Sequence, residues 1–361
     1  MPKGNLAVYC SYIADAIKHK AKCAILRLKP LKGYIEELEK VSSHFPKFLS
    51  VAFTNACNSN CVFCAYKYRR YKPTVIDDEL LDKIARDYSA IGGGIIGNSV
   101  GLGDPLADPH FWRHLEIVRK YKNISTPIVV TNLIGAKSLD PRRLALEGPT
   151  HICVSMGGFN RQDYKLVFGV DCYPDVIESL LTILETRRRA GMPLELSINC
   201  RSNLPLRKHF SEPDFKRILE YLDLSAIGFQ SRNLDNWTGL ITEKDLLPGM
   251  TLCKNIKNKR FPCFELYDKL GILPDGRAVA CACREANGMS SLVVGNVKTD
   301  TLLEIGERVA KMRQDWLKNG NIPPICRGCL GYGVKVIRGA FPDLMAQLRA
   351  RDEFITAKKQ I

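Results

Sequence analysis

Strands and helices alternate along most of the chain, and this pattern constrains the fold more than any other feature. From residue 48, short apolar or β-branched segments of strand length are separated by segments of helical periodicity. Strands that alternate with helices form parallel sheets with right-handed crossovers. The sequence therefore predicts an α/β fold, either a doubly wound sheet or a partial, TIM-like (β/α)6 barrel. The predicted strands are residues 48–55, 95–101, 127–132, 152–158, 194–201 and 226–231, and the predicted helices are residues 77–90, 108–122, 140–148, 173–190 and 212–224.

Polar or glycine-containing residues follow every predicted strand. In chain order they are the three cysteines of CNSNCVFC (57–64), GLGDP (101–105), Thr131 with Asn132, SMGG (155–158), Asn199 with Arg201, and NLDNW (233–237). Because the carboxyl ends of parallel barrel strands meet at one face, six such strand ends predict one site at that mouth. This distribution favours the barrel over the doubly wound sheet.

Three cysteines lie within eight residues, at Cys57, Cys61 and Cys64. The chain has 14 cysteines and no signal-peptide pattern, so metal ligation or catalysis is a better interpretation than disulfides. A closed zinc site needs a fourth ligand, and no cysteine or histidine follows nearby. An iron–sulfur cluster held by three thiolates leaves one iron open to a substrate or cofactor. Phe63 is a flat side chain that can lie against such a cofactor.

A second group of cysteines follows residue 250, where the composition changes. Residues 263–283 predict a β-hairpin that turns at Asp275 and Gly276, and a strand at 291–297 and a helix around 300–318 follow. Metal bound by cysteines could hold this small region together. Spacing alone favours zinc, and it leaves open whether Cys281 or Cys283 is a ligand, since both would face the same side of a strand.

The net charge of +15 predicts attraction to phosphates and other anions. The basic runs, such as KYRRYK (67–72) and KNIKNKR (254–260), are short and lack interleaved aromatic residues suited to stacking bases, which argues against nucleic acid as the partner. We expect a small-molecule substrate that can be anionic or phosphorylated. No apolar run is long enough to cross a bilayer, and we expect a cytoplasmic location.

The C-x3-C-x2-C motif, with an aromatic residue before its last cysteine and a strand before its first, resembles the signature of the radical S-adenosylmethionine (SAM) superfamily. The resemblance implies that Cys57, Cys61 and Cys64 bind a [4Fe-4S] cluster whose open iron is chelated by SAM. It implies reductive cleavage of SAM to a 5′-deoxyadenosyl radical that abstracts a hydrogen atom from the substrate. GLGDP resembles the family's Gly-Gly-Glu-Pro stretch, with Asp104 in place of Glu. The implied cofactor-binding residues are Phe63, Gly101, Gly103, Asp104, Pro105, Asn132, Ser155 and Arg201.

The pattern C-x12-G-x4-C…C-x2-C resembles the SPASM/Twitch extension of the same superfamily. The resemblance implies a second, auxiliary [4Fe-4S] cluster with Cys263, Cys281, Cys326 and Cys329 as ligands. No cysteine follows Cys329, which favours the shorter Twitch form. Cys283 would then be a packed thiol or a hydrogen-atom donor. The predicted divisions are a helical basic segment (1–47), the barrel (48–249), the auxiliary-cluster domain (250–335) and a C-terminal helix (336–361).

Relatives with this extension include an aminocyclitol alcohol dehydrogenase, which implies oxidation or epimerisation of an alcohol carbon on a sugar, aminocyclitol or nucleoside sugar. The implied electron donor is a flavodoxin or ferredoxin. Arg201, Asp235, Glu285 and Cys283 are the candidates for proton or hydrogen transfer and substrate contact. Two alternatives stay open: a peptide maturase, although no leader-binding hairpin is evident in residues 1–47, and a nucleic-acid-binding iron–sulfur protein, which leaves the strand-end motifs unexplained.

Overall fold

The computed structural model describes residues 48–97, 102–126, 128–193, 195–229, 234–255, 257–263, 265–282 and 291–332. The predicted segments 1–47 and 336–361 lie outside the described residues, as do Gly101, Cys283 and Glu285. Among the helices that the structure describes, none is long and apolar enough to cross a membrane.

Two sheets contain the strands of the described residues. One has the order β10-β9-β8-β1-β2-β3 and the other the order β4-β5-β6-β7. The neighbours from β1 to β3 and from β4 to β7 are parallel, which confirms the α/β fold with a partial barrel. The strands are β1 (Phe48–Val51), β2 (Gly94–Gly97), β3 (Ile124–Ser125), β4 (Ile128–Thr131), β5 (His151–Met156), β6 (Leu196–Cys200), β7 (Ile227–Phe229), β8 (Lys269–Ile272), β9 (Arg277–Val279) and β10 (Val293–Asn296).

Helices connect the parallel strands, as the periodicity predicts. The first begins where Asp77 accepts hydrogen bonds from the backbone of Glu79 and Leu80, and its buried face recurs every three to four residues. A short helix after β5, α4, is absent from the sequence prediction. The α-helices are α1 (Asp78–Ala90), α2 (Phe111–Arg119), α3 (Pro141–Glu147), α4 (Arg161–Phe168), α5 (Tyr173–Arg189), α6 (Leu206–His209), α7 (Pro213–Leu219), α8 (Glu265–Asp268), α9 (Leu302–Asn319) and α10 (Pro324–Gly328).

The third predicted strand, residues 127–132, corresponds to β4, which pairs with β5 in the second sheet. The two-residue strand β3 precedes it, pairs with β2 in the first sheet and is absent from the sequence prediction. The chain therefore crosses from one sheet to the other between β3 and β4. Thr131 ends β4 and brings Asn132 to the same face as the loop after β1.

The C-terminal hairpin is attached directly to the barrel. Strand β8 runs parallel to β1, with Phe48 opposite Lys269, and β9 returns antiparallel after a turn at Gly276 as predicted. The hairpin begins at Lys269 rather than at residue 263 because the preceding residues form α8. Cys281 follows the end of β9, so the expectation that it lies within a strand, beside Cys283, is wrong.

Arg187 holds the base of the second sheet together from the buried end of α5. Its side chain is 1% exposed and donates hydrogen bonds to the carbonyl oxygens of Ala145, Pro149, Thr150 and Glu195 at 2.8–3.2 Å. These carbonyls lie at the end of α3 and beside the first residues of β5 and β6. One buried cation thus replaces the water that these loop carbonyls would otherwise bind.

Candidate functional site

The loop with the first three cysteines is fixed by its backbone. It follows β1, and the amides of Asn60 and Val62 donate to the carbonyls of Phe168 and Val167 at 2.9 and 3.0 Å. The amide of Cys57 donates to the Tyr66 hydroxyl at 2.9 Å. Helix α4, which the sequence prediction missed, therefore forms the support of this loop.

The thiols of Cys57, Cys61 and Cys64 line one cavity of about 170 Å³. The Ser59 hydroxyl lies 3.3 Å from the sulfur of Cys57 and 3.4 Å from that of Cys61. Burial raises the pKa of all three thiols, that of Cys64 to about 11. Three thiols in one cavity, with Cys61 buried and Cys57 and Cys64 partly buried, are a donor set that a cationic iron centre stabilises as thiolates.

The thiols of the first set can be compared with the geometry of a single ion and with that of a cluster. A zinc ion brings its thiolates to about 2.3 Å from one point. Within the described residues, no three cysteine, histidine or acidic side chains converge in that way. Thiolates that bind different irons of one cluster do not need to converge. The donor set around Ser59 is therefore compatible with a [4Fe-4S] cluster.

Asp104 connects the loop after β2 to the end of β4. Its carboxylate is 3% exposed and accepts hydrogen bonds from the Thr131 hydroxyl at 2.8 Å and from the amides of Asn132 and Leu106 at 2.6 and 2.9 Å. Burial raises the pKa of Asp104 to about 6, and these hydrogen bonds oppose the shift. Because the carboxylate is occupied by the protein's own donors, Asp104 serves to hold two strand ends in register.

Asn132 then reaches the cysteine loop from β4. Its side-chain nitrogen donates to Asn58 Oδ1 at 2.8 Å and to the Ser59 hydroxyl at 3.3 Å, and it lies 3.7 Å from the Cys57 sulfur. An amide donor next to a cysteine sulfur tunes the charge on any thiolate formed there. Asn132 lines the cavity, as predicted from the third strand end.

Gly103 permits a close approach of the loop after β2 to the chain after β1. Its φ is +125°, and a Cβ at this position would lie 2.8 Å from the Cα of Asn55 and 3.0 Å from the carbonyl oxygen of Thr54. The amide of Asp104 donates to the carbonyl of Ala56 at 2.7 Å across the same contact. A residue without a side chain is required here.

Aromatic and cationic groups line the same cavity. The Arg201 guanidinium lies 4.9 Å from the ring centre of Phe63, which also packs edge-to-face against Phe168 at 6.1 Å. The positive charge of Arg201 lowers the pKa of Cys61 and Cys64, although burial has the larger effect. Ser155 lines the same cavity, whereas Pro105 begins a short 3-10 helix and is not among the lining residues.

Three cysteines of the second set lie near the buried side chain of Lys259. Cys281 and Cys326 are buried, and Cys263 and Cys329 are partly buried. Burial lowers the pKa of Lys259, and the nearby charges of Cys329, Cys326 and Cys263 oppose that shift. The only sequence signal for Lys259 is its place in a basic run, so sequence reasoning missed it.

The loop after β7 connects the two cysteine sets. The Trp237 indole nitrogen donates to the Phe63 carbonyl at 3.0 Å, and Asp235 accepts from the Trp237 amide at 2.8 Å. Asn236 donates to the Gly328 carbonyl at 3.2 Å and accepts from the Leu330 amide at 3.1 Å. Ala282, directly after Cys281, lines the first cavity. The residue next to Cys281 therefore reaches the first cavity, and the loop after β7 is bonded both to the first cysteine loop and to the turn of Cys326 and Cys329.

Two family models match this chain. The model of the radical SAM superfamily matches residues 51–243, and that of the SPASM iron–sulfur cluster-binding domain matches residues 263–330. SAM, a [4Fe-4S] cluster and auxiliary iron–sulfur chemistry accordingly belong to this protein. The two matches include all seven cysteines of the two proposed ligand sets.

Similar proteins differ in their reactions. Two proteins named "Probable GTP 3′,8-cyclase", from Saccharolobus islandicus and Saccharolobus solfataricus, are 25% and 26% identical over 275 residues, which cover 66% of this chain and 83% of each relative. Among solved structures, BtrN in complex with AdoMet and 2-DOIA has a TM-score of 0.50 at 14% identity and covers 79% of this chain and 92% of its own. Streptococcus suis SuiB bound to precursor peptide SuiA has a TM-score of 0.53 at 17% identity, covering 82% and 73%. These structures establish the shared fold.

Proposed function

Because this chain belongs to the radical SAM superfamily and carries an SPASM-type iron–sulfur domain, we propose that it oxidises an alcohol carbon of a sugar, aminocyclitol or nucleoside sugar. The bound cofactors supply radical hydrogen-atom abstraction and electron transfer. Cys57, Cys61 and Cys64 would hold the SAM-binding cluster, and Cys263, Cys281, Cys326 and Cys329 the auxiliary one. Epimerisation of the same carbon is the redox-neutral variant of this proposal.

The connection between the two cysteine sets is the observation that carries the proposal. Oxidation of an alcohol to a carbonyl removes two hydrogens in total: one hydrogen atom, one further electron and one proton. The electron needs an acceptor near the reacting carbon. The loop of Asp235, Asn236 and Trp237 contacts both Phe63 and the Gly328 turn, and Ala282 faces the first cavity. This proximity supports the auxiliary cluster as that acceptor.

Arg201 and Asp235 are the described residues that we assign to the substrate. Arg201 adjoins the cavity with a permanent positive charge, which suits an anionic substituent or the cofactor's carboxylate. Asp235 lies near Cys64, whose pKa its charge raises, and is our candidate to accept the hydroxyl proton. Asp104 is unsuited to that role because its oxygens accept three internal donors.

The charge of the chain and its relatives favour a phosphorylated substrate within this class. The net charge is +15, and the name of the archaeal relatives refers to a nucleoside triphosphate. Nucleoside-diphosphate sugars combine a polyanion with a secondary alcohol and are therefore the first substrates to screen. A flavodoxin or ferredoxin is the proposed electron donor.

The test compares three proteins reconstituted under anaerobic conditions: the parent, a Cys57/Cys61/Cys64 triple alanine variant and a Cys326/Cys329 double alanine variant. About eight irons per chain in the parent should fall to about four in each variant. The triple variant should lose SAM cleavage, whereas the double variant should retain uncoupled cleavage without oxidised product. Cys153→Ala, on β5 and outside both sets, is the control. Full product formation by the double variant would refute the acceptor role.

A further inference from the structure

Lys259 makes an unusual set of contacts beside the second cysteine set. Its side chain is 3% exposed, and its amine nitrogen donates to the carbonyl oxygens of Cys326 at 2.7 Å, Arg327 at 2.9 Å and Cys329 at 2.8 Å. All three acceptors belong to the CRGC turn at the end of α10. Its own carbonyl accepts from the Trp316 indole nitrogen at 2.8 Å.

These contacts define the charge of the lysine. A neutral amine has two hydrogens, whereas three carbonyl acceptors at hydrogen-bond distance require three donors. Carbonyl oxygens carry no hydrogens and cannot donate in return. The geometry is therefore that of an ammonium ion, stabilised by three dipoles that point at it.

Aromatic side chains enclose this ammonium ion. The ring centre of Tyr332 lies 5.4 Å from the amine nitrogen, and Tyr332 stacks on Trp316 at 6.2 Å. The Tyr332 hydroxyl donates to the carbonyl of Phe261, two residues after Lys259, at 2.6 Å. This hydrogen bond holds the Tyr332 ring beside the lysine segment. With water excluded, a fixed charge acts more strongly on neighbouring groups than it would at the surface.

We propose that Lys259 is a positioning residue of the auxiliary cluster, which fixes the CRGC turn for ligation by Cys326 and Cys329 and raises the cluster's reduction potential through its charge. Reduction adds one negative charge to a cluster that four thiolates already make anionic. A buried cation nearby stabilises the reduced state more than the oxidised state. This inference rests on the proposed assignment of the second cysteine set, although not on the identity of the substrate.

The experiment isolates the auxiliary cluster in the Cys57/Cys61/Cys64 triple alanine background and needs neither SAM nor substrate. Lys259→Gln removes the charge and keeps a side chain of similar length, whereas Lys259→Arg keeps the charge and at least three N–H donors. Lys257→Gln removes one exposed charge from the same segment and is the matched control. The measurements are iron per chain and the midpoint potential from a redox titration followed by electron paramagnetic resonance.

We expect Lys259→Gln to shift the midpoint potential to more negative values, while Lys259→Arg and Lys257→Gln stay close to the parent background. If Lys259→Gln loads no iron, normal loading by Lys259→Arg supports the assignment, since that variant restores both charge and donors. Equal midpoint potentials in iron-loaded Lys259→Gln and Lys259→Arg would overturn the charge effect. If neither variant binds iron, the shape of the lysine and not its charge is what the turn requires, which would also overturn the proposal. A parent background without iron would overturn the ligand assignment itself, and the inference with it.

Discussion

Replacement of Gly103 by alanine tests whether the loop after β2 must approach the cysteine loop as closely as the structure indicates. Two costs combine at this position. The φ of +125° is strained for any residue with a Cβ, at about 1–3 kcal/mol. The new Cβ would also lie 2.8 Å from Asn55 Cα and 3.0 Å from the Thr54 carbonyl oxygen, both backbone atoms that cannot rotate away. Overpacking of this kind costs about 1–3 kcal/mol more.

Gly92 is a matched control for the Gly103 substitution. Its φ is +109°, and nothing lies within 4 Å of the position that a Cβ would occupy. Gly92→Ala therefore has the backbone strain of a positive φ without a steric clash of the new Cβ. The unfolding free energies of the two variants should differ by about 1–3 kcal/mol. Urea unfolding followed by far-UV circular dichroism measures that difference in unfolding free energy.

A functional readout accompanies the stability measurement. If Gly103→Ala relieves its contact by moving the loop, SAM binding should weaken, whereas Gly92→Ala should bind SAM as the parent does. SAM binding can be followed by its effect on the cluster's electron paramagnetic resonance spectrum. Equal unfolding free energies for the two variants would refute the close approach at Gly103.

Three further substitutions probe the contacts of the site and of the second sheet. Trp237→Phe removes the indole donor to the Phe63 carbonyl and should lower the unfolding free energy by about 1 kcal/mol. The variant should also cleave more SAM per product formed. An unchanged ratio of SAM cleavage to product would argue against a role of the loop after β7 in connecting the two cysteine sets. Arg187→Met should lower the unfolding free energy, measured by urea unfolding, by about 3 kcal/mol or more, because it leaves buried carbonyl oxygens without a hydrogen-bond donor. Arg189 is exposed, so Arg189→Met should leave the unfolding free energy nearly unchanged. Similar losses in the two variants would contradict the role of the buried network. Burial raises the pKa of Asp104 from 3.8 to about 6, so the folded state binds its proton more tightly, and the stability from this group falls by about 2 kcal/mol as pH rises from 4 to 6. Asp104→Asn should flatten that slope in the iron-free chain, and parallel pH profiles would refute the burial effect.

The features that the sequence could predict are those with local patterns. Alternating periodicities identify most of the parallel strands and most helices, and the close spacing of Cys57, Cys61 and Cys64 predicts the first donor set because ligand spacing of this kind is a local property of the chain. Because the carboxyl ends of parallel barrel strands meet at one face, the residues after those strands were expected to lie together. Asn132, Ser155 and Arg201 do line the cavity of the first cysteines. Their roles stay predictions.

The features that the sequence could not predict depend on long-range contacts. No periodicity shows that β8 pairs with β1, since the edge on which a strand adds is decided by the whole sheet. Lys259 has the sequence context of a solvated surface charge, and only the packing of Trp316 and Tyr332 around it makes it a buried one. Asp104 lines the cavity, and the hydrogen bonds that its carboxylate accepts from the Thr131 hydroxyl and the Asn132 amide come from a distant part of the chain, which no local pattern shows.

The pairing of β1 with β8 has a consequence for how the protein is made. The first cysteine loop begins at the end of β1, yet one neighbour of β1 leaves the ribosome more than two hundred residues later. A pairing between such distant segments forms slowly, and it cannot form before β8 has been synthesised, so we expect the thiols of this loop to reach their final positions only after that point. Iron insertion should therefore follow the synthesis of β8. A truncation after residue 250 keeps Cys57, Cys61 and Cys64 but should bind iron poorly and be digested rapidly by protease; a stable, iron-loaded fragment would contradict this order of assembly.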